Sequence, residues 1–110
     1  MKKKYIVKTH EEFNNIINSG KKINSKYFVI NYKKNDFNYS RYGVSVGTKL
    51  GNAVIRNKYK RKMRAIIDEN ESISSYKYDF IILLRKSGIG EEYIKLKKDF
   101  DYLIDKLKEN

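Results

Sequence analysis

The sequence of 110 residues contains no cysteine, no proline and no tryptophan, and it has a single histidine. Without cysteine, the chain can form neither a disulfide nor a zinc site with thiolate ligands. The sequence has no apolar segment long enough to span a bilayer, and its N-terminus lacks the hydrophobic region of a signal peptide. We therefore expect a cytoplasmic protein without a membrane-spanning segment.

Acidic residues are also scarce, because 13 Asp and Glu stand against 25 Lys and Arg and give a net charge of +12. The excess lies in residues 1–64, which hold 17 basic and 3 acidic side chains, whereas residues 65–110 hold 8 and 10. An apolar content of 40% argues for a folded domain rather than a disordered basic tail. The asymmetry predicts a polyanionic partner on one side of the molecule, with nucleic acid preferred over an anionic membrane.

The shortage of histidine limits the chemistry that the chain could perform alone. Metal-free cleavage of RNA needs a general base and a general acid with pKa values near neutrality, and His10 supplies half of such a pair. The sequence has no nucleotide-binding glycine loop and no nucleophile motif. Asp68, Glu69 and Glu71 lie close together, and a solvated patch explains them better than a metal site. We predict no catalytic residue, no metal ligand and no small-molecule substrate for this chain.

The first half of the chain predicts one helix followed by strands. Thr9 and Glu12 have the spacing of a capping box, and the helix that they begin would end at Gly20. Residues 26–34 and 40–48 are rich in β-branched and aromatic residues, and we expect these two runs to form a hairpin or a meander. The segment between Gly20 and the first run could add a very short strand.

The second half predicts a helix, a strand and a helix. Residues 50–52 interrupt the preceding strand and lead into a helix that should run to about Asp68 or Glu69. Residues 77–85 are the most hydrophobic run and predict a buried strand, and residues 91–107 place apolar side chains at helical spacing. The order αβββαβα corresponds to an α+β fold, an α/β sandwich in which helices pack on a sheet of about four strands. We expect residues 1–110 to form a single domain, with residues 1–8 as a basic N-terminal arm.

The densest positive charge lies in residues 49–64, which hold seven basic side chains and no acid. On a helix, one face carries the apolar residues Ile55, Tyr59, Met63 and Ile66, which predicts contact with the core. The polar residues divide into a row of Arg56, Lys60 and Arg64, then Asn57 and Arg61, with Lys58 and Lys62 on the opposite flank. Several cations on one rigid surface suit a run of phosphates, because binding releases counterions. A merely solvated helix would usually carry compensating acids one turn away.

The sequence GNAVIRNKYKRKMR at residues 51–64 resembles the signature of the bacterial ribonuclease P protein subunit, G-N-A-V-x-R-N-R-x-K-R-x-x-R. Lys58 stands where that family has Arg, and it lacks the planar fork that binds phosphate bidentately. The resemblance covers nearly the whole chain and implies a fold like the second domain of ribosomal protein S5. The RNA-binding residues that it implies are Lys49, Asn52, Arg56, Asn57, Lys58, Lys60, Arg61 and Arg64.

By this resemblance, the chain would be the protein subunit of a ribonucleoprotein that removes the 5′ leader of precursor tRNA. Its partners would be a catalytic RNA and precursor tRNA, and Mg²⁺ would act through the RNA rather than be held by this chain. The family is known for a cleft between first helix and sheet that receives the single-stranded leader. The cleft residues that we expect are Phe13, Ile17, Phe28, Ile30 and Tyr32. By pattern alone, these residues fit a core contact slightly better than a stacking floor for bases.

Two other classes of protein stay open. A non-enzymatic RNA-binding protein, such as a ribosomal protein, would have the same size and charge, and only the signature in residues 51–64 speaks against it. A DNA-binding module with a recognition helix would favour a helix-turn-helix, whereas strands are predicted on both sides of the basic helix.

Overall fold

The computed structural model describes residues 2–108 and confirms the element order αβββαβα. Its helices are α1 (His10–Ser19), α2 (Ala53–Glu69) and α3 (Tyr93–Leu107). Its strands are β1 (Lys21–Asn24), β2 (Phe28–Lys34), β3 (Arg41–Ser45) and β4 (Tyr78–Leu84). Within residues 2–108, no helix combines the length and the apolar composition that crossing a membrane requires. The outermost residues of the predicted domain, Met1, Glu109 and Asn110, lie outside the described part.

The four strands form one mixed sheet in the order β1-β2-β4-β3. β2 is antiparallel to β1 and to β4, whereas β3 is parallel to β4, so that α2 connects two parallel neighbours. The expected hairpin or meander of β2 and β3 is therefore wrong, because β4 lies between them. The reason is burial: Ile81 and Ile82 point to opposite faces of β4 and both are 0% exposed, which only a central strand covered on both faces provides.

The main core lies on the face of the sheet that α2 and α3 cover. Phe28 and Ile30 of β2 belong to it, as do Phe80 and Ile82 of β4. Phe28 meets Phe100 of α3 edge to face, with ring centroids 5.7 Å apart. This face therefore holds most of the buried apolar surface.

The opposite face of the sheet carries α1 and a smaller cluster. Val7, Ile16 and Ile81 are its buried members, and Phe13 and Ile17 of α1 pack against them while staying half-buried. Phe13, Ile16 and Ile17 thus form the apolar face of α1. Because α1 is short, its position depends on these contacts and on its ends rather than on helix propensity.

Both ends of α1 are fixed by local chemistry. The Thr9 hydroxyl accepts a hydrogen bond from the Glu12 amide at 3.1 Å, and the Glu12 carboxylate accepts one from the Thr9 amide at 3.3 Å, which confirms the capping box. At the other end, a Cβ on Gly20 would lie 2.5 Å from the Ile16 carbonyl oxygen and 2.6 Å from that of Tyr32. Glycine is needed there so that the helix end can approach β2.

The N-terminal arm is docked onto the sheet through its apolar residues. Ile6 forms a parallel bridge with Tyr42 of β3, and the Val7 amide donates to the Tyr42 carbonyl at 2.9 Å. Val7 is 7% exposed, whereas the arm lysines, Lys2, Lys3, Lys4 and Lys8, are exposed. The arm thus covers part of the open edge of β3 and leaves its charges in solvent.

Candidate nucleic-acid interface

The basic segment begins with a tight entry into α2, which Gly51 and Asn52 form. The Asn52 side-chain oxygen accepts a hydrogen bond from the Ile55 amide at 3.0 Å, so that Asn52 is the N-cap of the helix. A Cβ on Gly51 would lie 2.8 Å from the Ile55 side chain and would displace it. The Gly51 carbonyl accepts from Arg56 Nε at 3.2 Å. These contacts set the direction of α2 and hold its first cation.

One face of α2 packs into the main core. Its buried side chains, all at most 6% exposed, are Tyr59, Met63, Ile66 and Ile67. The Tyr59 hydroxyl also accepts from the Gly90 amide at 2.6 Å, which ties the helix to the loop before α3. The prediction that Ile55 contacts the core is wrong, because Ile55 lies in the first turn against Gly51 and is 39% exposed. Its neighbour Val54 is 77% exposed.

The other face of α2 presents the predicted RNA-binding side chains to solvent. Those on the helix are exposed or half-buried, namely Arg56, Asn57, Lys58, Lys60, Arg61 and Arg64, and the exposed Lys49 lies in the short 3₁₀ turn just before it. Over residues 2–108, none of these cations forms an ion pair. Lys62 is different, because its ammonium lies 5.0 Å from the centre of the Tyr59 ring. The structure therefore brings the predicted cations together on one helix.

The charges of α2 are arranged against its dipole. Acids stabilise the first turn of a helix and bases the last turn. In α2, the first turn has no acid and the last turn has no base, while Asp68 and Glu69 stand at its C-terminal end. This arrangement does not stabilise the helix itself. An anion bound beside the basic half of α2 would offset the unfavourable charge.

The five predicted cleft residues do not lie on one surface. Phe13 and Ile17 belong to the cluster under α1, whereas Phe28 and Ile30 belong to the main core on the other face, where both are 0% exposed. Tyr32 lies on that same face and is 7% exposed. The register decides this, since Phe28 is opposite Leu84 and Tyr32 opposite Phe80. The prediction that Phe28, Ile30 and Tyr32 form a stacking floor with α1 is wrong, and they pack in the core with α2 and α3.

The strand residues that do face α1 are those whose side chains point to the side of the sheet opposite Phe28, Ile30 and Tyr32. Val29 of β2 is paired with Leu83 of β4, which is paired in turn with Ser45 of β3, and all three are half-buried. Leu83 packs against the cluster that contains Phe13 and Ile17. We call the surface of Phe13, Ile17, Val29, Leu83 and Ser45 the α1 cleft. Residues 77–85 carry apolar side chains on both sides of the strand. This pattern was the sequence signal that the α1 face of the sheet is also apolar.

An ion-pair network clamps α1 to the sheet. Arg41 of β3 contacts Glu12 of α1 at 2.7 Å and, through two nitrogens, Asp79 of β4 at 2.7 and 2.9 Å. Asn35 donates a further hydrogen bond to Asp79 at 2.8 Å. The Arg41 guanidinium lowers the pKa of the Glu12 carboxyl, and the two carboxylates raise the pKa of Arg41. Sequence reasoning missed this network, because it depends on β3 and β4 being neighbours in register.

A small groove joins the α1 cleft to the basic helix. It has a volume of about 100 Å³ and lies between Phe13 of α1, Gly43 and Val44 of β3, and Arg64 of α2. A Cβ on Gly43 would lie 2.8 Å from the Phe13 ring, so the aromatic ring rests directly on the strand. Arg64, the last cation of the row on α2, thus lines the same groove as Phe13, the aromatic residue of the α1 cleft.

The remaining titratable residues do not assemble into a centre. His10 is exposed at the start of α1. Across residues 2–108, no group of three or more His, Asp or Glu side chains is arranged to hold a metal ion. Glu69 accepts a hydrogen bond from the Tyr93 hydroxyl at 2.6 Å. Burial, together with this carboxylate, raises the pKa of Tyr93 to about 12.

Comparison with known proteins agrees with this geometry. Two solved structures of similar proteins are the RNase P protein from Staphylococcus aureus and that from Thermotoga maritima. The S. aureus structure has a TM-score of 0.82 at 26% identity and covers 94% of this chain and 95% of that one. The T. maritima structure has a TM-score of 0.82 at 27% identity, with 91% and 94% covered.

Sequence comparison gives the same family. The ribonuclease P protein component of Mycoplasma mycoides subsp. mycoides is 46% identical over 109 residues, which cover 98% of this chain and 100% of that protein. The component from Streptococcus agalactiae is 36% identical and covers 94% of each chain. The family model described as Ribonuclease P matches residues 1–108. With the signature on an exposed helix, the shared fold and a match over almost its full length, the chain belongs to the ribonuclease P protein family.

Proposed function

We propose that this ribonuclease P protein component, which acts in tRNA processing, binds a catalytic RNA through α2 and the 5′ leader of precursor tRNA in the α1 cleft. The observation that carries the proposal is the charge of α2, whose cations are unpaired within residues 2–108 and opposed to the helix dipole. A helix with this charge distribution is stabilised when a polyanion binds beside it. The side chains that we assign to it are Lys49, Asn52, Arg56, Asn57, Lys58, Lys60, Arg61 and Arg64.

The α2 surface suits backbone phosphates rather than base edges. Its cations point outward from a convex helix, where each can neutralise one phosphate and release counterions. Val54 and Ile55 add exposed apolar surface at the start of the same helix, which can contact sugars. The Asn52 oxygen is used for capping, so its contribution to RNA binding would come from holding the helix start.

The α1 cleft suits an unpaired strand. Phe13 and Ile17 are half-buried, so that part of each side chain is accessible to bases, and Val29 with Leu83 provides an apolar floor. A ring offers a stacking surface that any base can use. Arg64 beside Phe13 can hold a phosphate of the same strand. This composition replaces the set with Phe28, Ile30 and Tyr32, whose rings and side chains are enclosed in the main core.

We assign the hydrolysis itself to the RNA subunit and its Mg²⁺, which this chain does not hold. One exposed histidine offers half of an acid–base pair. The protein would lower the electrostatic repulsion between two RNAs and position the leader relative to the scissile phosphodiester. We place this work in the cytoplasm, where precursor tRNA is made.

Reconstitution tests the proposal. Purified protein, a ribonuclease P RNA and precursor tRNA are combined in all pairs and together, over a series of Mg²⁺ concentrations. We expect no cleavage by the protein with precursor tRNA alone, and stimulation of the RNA-catalysed reaction at low Mg²⁺. His10→Ala should cleave at the wild-type rate in the complete mixture. Site-specific cleavage by RNA-free protein, or no stimulation of the RNA, would overturn the proposal.

A further inference from the structure

A second basic groove lies at the end of the sheet where β2 ends and β4 begins. We call it the lysine groove, and it has a volume of about 300 Å³ and is lined by Ser19, Lys21, Tyr32, Lys33, Lys34 and Tyr78. Its lining contains no acid, and none of its three lysines forms an ion pair within residues 2–108. Three like charges around one concavity repel each other, which costs stability unless an anion is bound.

Two stacked tyrosines form one wall of the lysine groove. Tyr32 and Tyr78 stack with ring centroids 5.6 Å apart, and the apolar stems of the lysines can lie along such a wall with the ammonium groups free. Lys33 Nζ donates to the Ser19 hydroxyl at 3.0 Å, so that one ammonium is held at the rim. Lys21 and Lys34 are exposed. Tyr32 is 7% exposed and stacks on the half-buried ring of Tyr78, so the lysine ammonium groups are the main accessible groups of the groove and suit phosphates.

The lysine groove is separate from both surfaces assigned above. Lys34 is paired with Tyr78 at the start of β4, whereas α2 follows β3, whose last residue, Ser45, is paired with Leu83 near the end of β4. These two positions of β4, Tyr78 and Leu83, are about 17 Å apart at 3.3 Å per residue. The two tyrosines also lie on the face of the sheet opposite the α1 cleft. A small anion could occupy one of these sites only, whereas a large folded RNA can reach both ends of the sheet.

From this arrangement we infer that the lysine groove binds a phosphodiester segment of the RNA subunit, as a second attachment point besides α2. If α2 were the only contact, the protein could bind the RNA phosphate backbone in several orientations. Two contacts at opposite ends of the sheet fix its orientation, and with it the direction of the α1 cleft. The inference rests on the RNA partner of a ribonuclease P component and not on the leader site.

A charge-removal experiment tests the inference. Lys21→Gln/Lys34→Gln is compared with Lys98→Gln/Lys106→Gln, which removes the same charge from exposed positions of α3. Binding to ribonuclease P RNA without tRNA is measured over a salt series. At 0.15 M monovalent salt we expect affinity to fall about fivefold for one lost phosphate contact and about thirtyfold for two, with a salt slope reduced by about 0.9 per contact. The α3 pair should stay within about twofold of wild type, because distant charges are screened.

A rescue variant and a stability measurement keep the result interpretable. Lys21→Arg/Lys34→Arg retains both charges and should bind as the wild type does. Thermal melting of all variants should give similar midpoints. Equal losses in the two glutamine pairs would show an effect of net charge only and overturn the inference. So would a variant that binds RNA normally but aggregates, which would assign the lysines to protecting the edge of the sheet.

Site-directed cross-linking identifies the occupant. The chain has no cysteine, so Lys34→Cys and Lys98→Cys each give one attachment point for a photoreactive group. In the reconstituted holoenzyme, position 34 should cross-link to the RNA subunit with or without precursor tRNA, and position 98 should not. Cross-linking of position 34 to precursor tRNA alone would overturn the assignment to the RNA subunit, as would equal cross-linking from both positions.

Discussion

Neighbouring cations of α2 have different surroundings, and these decide what each can offer to RNA. Arg56 is tethered to the Gly51 carbonyl, and Lys62 lies over the Tyr59 ring. Arg61 is exposed, and within residues 2–108 its guanidinium has no hydrogen bond and no ring contact, so the whole group is available for a bidentate phosphate contact. Lys58 is exposed too, but it lies on the flank away from the row of Arg56 and Arg64 and carries a point charge.

Arg61→Ala should therefore weaken binding of ribonuclease P RNA more than Lys58→Ala does. For Arg61→Ala we expect a loss of about fivefold at 0.15 M monovalent salt and a salt slope reduced by about 0.9, without loss of stability. Equilibrium binding over a salt series measures both. If Lys58→Ala were the more damaging and Arg61→Ala harmless, the face of α2 assigned to RNA would be wrong.

Two substitutions at Asn52 distinguish its structural role, as the N-cap of α2, from a contact with RNA. Asn52→Ala removes the N-cap of α2 and should lower the free energy of unfolding by about 0.5–2 kcal/mol. Asn52→Asp keeps the cap and suits the helix dipole, so its stability should match the wild type while RNA binding falls, because a negative charge enters the interface. Urea unfolding and RNA binding are measured on both variants, and Asn57→Ala, at an exposed position within the helix, is the control for urea unfolding only. Normal RNA binding by Asn52→Asp would place the helix start outside the interface.

At the scale of elements, α1 is attached to the sheet by the clamp of Arg41, Glu12 and Asp79 and by its small apolar cluster. The clamp joins one helix to two strands, so it fixes where the start of α1 lies on the sheet. The Glu12 carboxylate is also half of the capping box. A change at Glu12 therefore acts on the cleft through the position of the whole helix.

The clamp predicts an acid dependence of stability. Arg41 lowers the pKa of the Glu12 carboxyl from its ordinary value of 4.5. The ion pair therefore stabilises the folded protein fully above pH 4.5, and this stabilisation is lost as the pH falls through the lowered pKa. Glu12→Gln keeps the capping box and removes the ion pair. Thermal melts between about pH 5 and pH 3 should show a shallower loss of stability for Glu12→Gln than for wild type. Identical slopes would show that the ion pair does not contribute.

Phe13 and Phe28 distinguish the α1 cleft from the core. Phe28→Leu should lower stability, by about 1–3 kcal/mol for a large-to-small change at a 0% exposed site. Phe13→Leu should fold normally and weaken precursor tRNA binding by the holoenzyme by about 1–3 kcal/mol, if a base stack is lost. Binding of mature tRNA, which has no leader, is the control. Equal losses for both tRNAs in Phe13→Leu would remove Phe13 from the leader site.

At the scale of the whole molecule, the sheet separates three surfaces with different chemistry. The α1 cleft lies on one face, the basic side of α2 lies beyond the other, and the lysine groove lies at one end. The small groove between Phe13 and Arg64 connects the first two. On the proposed function, this protein of 110 residues with a net charge of +12 would contact a folded RNA and a single strand at the same time.

The elements themselves could be predicted from the sequence, because their causes are local. A capping box at Thr9, a glycine at position 20 and the apolar periodicity of α2 act over a few residues, and the structure shows the expected helices. The cations of α2 followed from the same periodicity. The alternation of side chains along a strand likewise places Phe28, Ile30 and Tyr32 together on one side of β2.

Only the tertiary structure decided which helix or strand packs against each surface. Alternation shows that Phe28 and Val29 point to opposite faces, but whether α1 or α3 covers Phe28 depends on contacts far apart in sequence. The same holds for β4 between β2 and β3 and for Arg41 between Glu12 and Asp79. The physical reason is that local patterns fix the apolar side of an element, whereas the shared burial of all elements selects what lies against it.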